Sequence, residues 1–102
     1  PAALRSMTLV RRLVVDVLKP HDPPLVEFAT QVADLDSVDG ATVSLIELDN
    51  EVQNVKLTVE GEMLDIEAIT DTVDSLGGSI HSTDQVACGE YIVEDRRTLQ
   101  DS

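Results

Sequence analysis

A β-rich first run followed by an amphipathic helical stripe, then a polar-tipped pair of strands and a second such stripe, predict an α+β domain of the split βαβ, ferredoxin-like type. The order is β-α-β-β-α-β. Each amphipathic helix needs an apolar sheet face to cover, so both belong on one side of a single four-stranded antiparallel sheet, with strands one and three central. A chain of 102 residues has room for one such core. The domain is expected over residues 8–94. Because Met7 looks like a natural start, Pro1 to Ser6 are set aside, and residues 1–7 are treated as an N-terminal extension.

Thr8 to Lys19 reads as strand one, with Leu13, Val15 and Val17 on one face and Val14, Asp16 and Leu18 on the other. Both faces are largely apolar, as a central strand requires. Pro20, Pro23 and Pro24 break the strand, and Pro24 suits a first helical turn, where its missing N–H costs nothing. Helix one then runs from about Pro24 to Leu35, carrying Leu25, Phe28, Ala29, Val32 and Leu35 at spacings of three and four.

After the turn at Asp39-Gly40, Ala41 to Leu48 and Val52 to Glu60 form a hairpin joined through Asp49-Asn50-Glu51. In its second strand Val55, Leu57 and Val59 alternate with Lys56, Thr58 and Glu60, which is the period of a half-buried strand. Helix two, about Asp65 to Leu76, carries Ile66, Ile69, Val73 and Leu76, with Asp65 placed as its N-cap. Gly77-Gly78 stops it. Ser79 to Val86 is strand four, and Ala87-Cys88-Gly89 interrupts the pattern before the short apolar run Tyr91-Ile92-Val93. The charged residues 95–102 are expected to be a mobile tail.

With 42% hydrophobic residues but one Phe, one Tyr and no Trp, the core must be built from Val, Leu and Ile. Twenty Asp and Glu against seven Lys and Arg give a formal net charge of −13, a field that repels phosphate backbones and anionic lipid. Nucleic-acid and membrane partners are therefore disfavoured. The charge is read as a solvation device of the kind a high-salt cytoplasm favours, in preference to a docking surface for one cationic partner. Cys88 is the sole cysteine, which excludes an intrachain disulfide, a four-cysteine zinc site and CxxC redox chemistry. A reducing, cytoplasmic setting fits. No apolar run approaches the roughly 20 residues of a membrane span, and the first residues lack the apolar core of a signal peptide.

The stretches LVVDVLKPHDP (Leu13 to Pro23), Val38-Asp39-Gly40, EVQNVKLTVEG (Glu51 to Gly61) and GGSIHSTD (Gly77 to Asp84) follow one another in an order that resembles the archaeal family domain of unknown function 211 (DUF211). The likeness spans roughly Thr8 to Glu94. It implies a ferredoxin-like fold, a tendency to ring-like homo-oligomers and no established activity. Charge, independently of any motif, suggests a salt-loving source within that family.

His21 follows strand one and His81 lies near the start of strand four, so both fall toward one rim of the sheet, near Lys19, Asp22 and Asp84. Two histidines and two carboxylates could hold a divalent transition metal. Without an HxH or HxxxH spacing, local hydrogen bonding is the more economical account. Asp16 stands in the middle of an apolar strand, and Lys56 on the same face of the neighbouring strand is its expected counter-ion. Asp34, Asp36, Asp39 and Gly40 fail as an EF-hand, since the sixth and twelfth positions hold Asp39 and Leu45 instead of Gly and Glu. Asp49 and Glu51 in the hairpin, or Glu60, Glu62 and Asp65 at the strand-three exit, could gather calcium, magnesium or sodium, although solvated acidic loops are the commoner outcome. Gly77-Gly78 follows a helix where a phosphate loop precedes one. Cys88 and His81 are too far apart along a strand to act as a dyad.

With no catalytic constellation, the leading expectation is a non-enzymatic homo-oligomeric module that binds a ligand or ion at subunit boundaries or serves as a scaffold. The sequence names no small-molecule ligand. The rival is a metal-assisted hydrolase or isomerase using the His21 and His81 rim. Self-contact is expected through strand four, whose edge has no proline or lysine and only Asp84 as a charge, through Tyr91, Ile92 and Val93, and through the open sheet face bearing Val14 and Leu18.

Overall fold

The computed structural model describes residues 9–94. Its elements are β1 (Val10–Pro20), α1 (Leu25–Ala33), β2 (Gly40–Leu48), β3 (Val52–Glu60), α2 (Ile66–Ser75) and β4 (Ser79–Cys88). All strand pairs are antiparallel, in the order β2-β3-β1-β4. This is the ferredoxin-like arrangement, with β1 and β3 central. The N-terminal extension and the charged tail lie outside the described residues.

Alternation along the central strands builds the core. Leu13, Val15 and Val17 of β1 and Val55, Leu57 and Val59 of β3 point to the helical side, where they meet Phe28 and Val32 of α1 and Ile69 and Val73 of α2. α1 packs over β2, and α2 over β4. The side chain of Asp65 accepts a hydrogen bond from the Ala68 N–H at 3.1 Å and so caps α2. At the far end Gly77 takes φ +84°, and the Gly78 N–H donates to the Val73 carbonyl at 2.9 Å.

Strand four departs from expectation. It runs on through Ala87 and Cys88 because Arg12 and Val10, at the start of β1, offer them partners. Gly89, at φ +106°, ends it. Its register against β1 also slips at His81 and at Asp84, each an extra residue on β4, and β2 slips in the same way at Ile46. Bulges of this kind twist an edge away from a would-be partner strand. The β4 edge thus carries bulges that no signature residue in its sequence announces.

The open sheet face is also more polar than expected. Asn54, Lys56 and Thr58 of β3 share it with Thr42 and Ser44 of β2 and Ser82 and Gln85 of β4. Its apolar centre, Val14, is already 8% exposed within one chain, and Leu18 is half-buried. Asp16 stands directly opposite Lys56, yet no ion pair closes between them.

Candidate functional site

The feature that departs furthest from an ordinary domain surface is the segment after β4. Residues 89–94 do not leave the body of the protein but fold back across the start of β1. The Gly89 N–H donates to the Leu9 carbonyl at 2.8 Å. The Arg11 guanidinium donates to the Glu90 carbonyl at 2.6 Å and to the Gly61 carbonyl at 3.2 Å. Arg12, on the open face, forks onto Glu94 at 2.9 and 3.2 Å, reaches Glu60 at 2.7 Å and donates to the Gln85 side chain at 3.2 Å.

Glu94, then Glu60, hold the Arg12 guanidinium still further into its charged form, and Arg12 in turn holds the Glu94 carboxyl below its usual range. The polar ties of this strap thus reach back to β1, although the Glu94 side chain stays largely exposed. Of its apolar side chains Ile92 is half-buried, whereas Tyr91 is 75% and Val93 79% exposed, and the strap lines an open depression of about 580 Å³. Val86, on the last part of β4, is also exposed.

A second site lies at the opposite end of β1. Lys19 shares the inner face with Val17 and is wholly buried. Its ammonium donates to the carbonyls of Pro20, at 2.7 Å, and Pro23, and to Oε1 of Gln53 at 3.0 Å, and it sits 5.8 Å from the centre of the Phe28 ring. Burial pushes its pKa down, opposed by the nearby charge of Asp22. All three ammonium hydrogens have acceptors, so the group is a structural tie between the Pro20–Pro23 loop and β3.

Residues 11–102 match the family domain of unknown function 211, described as uncharacterized ArCR. The chain belongs to this family. It is similar to an uncharacterized protein of the archaeon Methanocaldococcus jannaschii, 44% identical over 95 residues, which is 93% of this chain and 98% of that protein. The likeness thus covers nearly the whole of both chains, and neither description carries an activity.

In this member of the domain of unknown function 211 family, the sequence-predicted metal residues are scattered. His21 and Asp49 do meet, but the His21 Nε2 is 2.9 Å from the Asp49 main-chain carbonyl, not from its carboxylate. That carboxylate accepts from the N–H groups of Val52, at 3.0 Å, and Glu51, at 2.9 Å, closing the hairpin turn. His81 is an exposed bulge residue on β4, and the nearby Asp84 accepts from the Ser82 hydroxyl at 2.8 Å. Glu60, the last residue of β3, and Glu62 just after it lie at the opposite end of that strand from Asp49 and Glu51, about 26 Å away at a rise of roughly 3.3 Å per residue, and Glu60 is engaged by Arg12. Among the described residues, no group of three or more His, Cys, Asp or Glu side chains could hold a metal ion. No helix there is long and apolar enough to cross a membrane.

Sequence reasoning missed Arg11 and Arg12, and it placed Lys19 near the histidine rim without its burial. Arg12 stands in register with Glu60, a cross-strand pair that β1–β3 alignment exposes. The partners of Arg11 and the grip on Glu94 depend on how the chain returns after β4, which no local pattern encodes. The placement of the cations also has an electrostatic effect. Of the four basic residues between 9 and 94, Arg11 and Arg12 are turned onto the protein's own carbonyls and carboxylates and Lys19 is in the core, which leaves Lys56 facing outward.

Proposed function

We propose that this protein is a non-enzymatic assembly module that works as a closed homo-oligomer in the cytoplasm of a salt-adapted archaeon, with Tyr91, Ile92 and Val93 as its principal contact. The observation that carries the reading is the strap itself: a segment fixed by its polar groups that holds two large apolar side chains in water. A free tail would leave such residues mobile, and a purely structural strap would turn them inward. Exposed apolar groups on a held segment are the form in which an interface is pre-paid in conformational entropy.

The bulges on β4 and β2 favour side-chain packing over an extended ladder between copies. A strap that docks on a different patch of its neighbour makes a head-to-tail contact, and such contacts close into rings or grow into filaments. The charge of −13 per chain disfavours open growth. The acidic surface supports a high-salt setting, and the archaeal relative supports the source.

Light scattering in molar salt tests this reading. A mass several times 11.1 kDa is expected, and Tyr91→Ser combined with Val93→Ser should shrink it. A wild-type monomer at high salt would overturn it.

A further inference from the structure

The strap has one anchor at each end. Gly89 and Glu90 are tied by main-chain groups to Leu9 and Arg11, contacts that do not titrate at the strap itself. The distal end is tied by one side-chain pair, Arg12 to Glu94, and Tyr91, Ile92 and Val93 hang between the two anchors. We infer that Arg12 is a positioning residue for the exposed apolar face, and that its grip on Glu94 is an acid-opened clasp which sets whether Tyr91 and Val93 are presented in a fixed arrangement.

The geometry isolates the clasp. Arg12 projects from β1 onto the open sheet face, where Glu60 of β3, Gln85 of β4 and Glu94 of the strap converge on it. Glu60 and Glu94 are the two titratable groups among these, and Gln85 is neutral. Glu60 holds the guanidinium on the sheet through Nε, which leaves the Nη1 and Nη2 edge turned toward the Glu94 carboxylate in a two-point fork. Arg12 is thus itself positioned before it positions the strap. A lysine at this place could supply the charge but not a planar fork that engages two carboxylates at once.

The sign of the acid response follows. Arg12 stabilises the charged form of Glu94, so the clasp is closed above the ordinary carboxylate range and opens as pH falls through the lowered Glu94 value. The main-chain anchor at Glu90 persists, so opening frees the distal half of the strap without releasing it from β1. Presentation of Tyr91 and Val93 then becomes an entropic expense of association, and the assembly weakens while the fold remains.

The chain supplies its own reporter, because Tyr91 is its single tyrosine and it has no tryptophan. The rapid, segmental part of the Tyr91 fluorescence anisotropy decay, read at dilution to the monomer, reports the clasp; light scattering at higher concentration reports the assembly. This inference rests on the strap being the contact, and the two readouts separate them. In neutral molar salt, Glu94→Gln and Arg12→Gln should enlarge the segmental component several-fold and lower the oligomer mass at limiting concentration. Wild type should reach the same segmental component only in acid, and Glu94→Gln should lose that acid step. Arg12→Lys should fall between. Glu94→Gln alters only an exposed strap residue, so it keeps the test valid if Arg12→Gln disturbs the sheet. Loosening in both variants with an unchanged mass would keep the clasp and remove its control of assembly, and with it the role of the strap as contact. An unchanged segmental component in Glu94→Gln would overturn the clasp whatever the mass.

Discussion

The ammonium of the wholly buried Lys19 meets Oε1 of the half-buried Gln53 at 3.0 Å. Lys19 occupies the next inward position of β1 after Val17, where alternation calls for another apolar residue. The Pro20–Pro23 loop makes the charge tolerable by turning two carbonyls onto it.

Lys19→Met should therefore be destabilising even though it restores the apolar pattern, because it leaves three half-buried acceptors without their donor. A loss of about 2–4 kcal/mol is expected, with Gln53→Ala costing about 1–2 kcal/mol. Urea unfolding of both single variants and the double variant would show strong coupling between the two sites. Stability equal to wild type in Lys19→Met would show that the carbonyls can find other donors.

The hairpin turn has its own acid dependence. The N–H groups of Val52 and Glu51, with the charge of His21 adding to them, hold the Asp49 carboxyl below the usual carboxylate range. A folded-state value below the unfolded one contributes stability at neutral pH that is lost as pH falls through the lowered value. Asp49→Ala should thus lower the urea midpoint at neutral pH and match wild type in strong acid. Asp49→Asn, which keeps an acceptor oxygen, should fall between. Midpoints that differ by the same amount at every pH would show that the charge plays no part.

Gly61 is buried where β3 ends, and an added Cβ would run into the Ser37 carbonyl and press on Leu64. Gly61→Ala should cost about 1–3 kcal/mol through displaced backbone. A thermal melt checks this, and an unchanged midpoint would mean that the loop carrying Ser37 yields freely.

A chain with −13 formal charges should melt at higher temperature as salt is added. The screening length falls from roughly 10 Å at 0.1 M to about 3 Å at 1 M, which suppresses repulsion across the surface. A melting temperature that stays flat between these concentrations would count against the solvation role of the charge.

The helices and the hairpin were legible because their signals are local. Phe28 and Val32, and Ile69 and Val73, are the residues each stripe buries, and β3 occupies Val52–Glu60 as its alternation indicates. Helical packing ends earlier than each stripe: Leu35 packs against the core from beyond α1. What escaped is set by tertiary context. The burial of Lys19 depends on carbonyls from a proline-broken loop. The β4 bulges at His81 and Asp84 arise from how two strands of unequal path fit together. The ties from Arg11 and Arg12 to the strap span some eighty positions along the chain. His21 and His81 lie toward one end of the sheet, but a shared end leaves open which atoms meet, and His21 finds a main-chain carbonyl.

Within residues 9–94, Arg11, Arg12 and Lys19 are engaged by the protein's own carbonyls and carboxylates, so the described surface offers mostly anions to whatever approaches. For the self-contact proposed above, two folded copies would begin to repel one another well before any apolar side chain could touch. Dissolved ions would then throttle how often copies meet, while Tyr91 and Val93 would determine how long a meeting lasts.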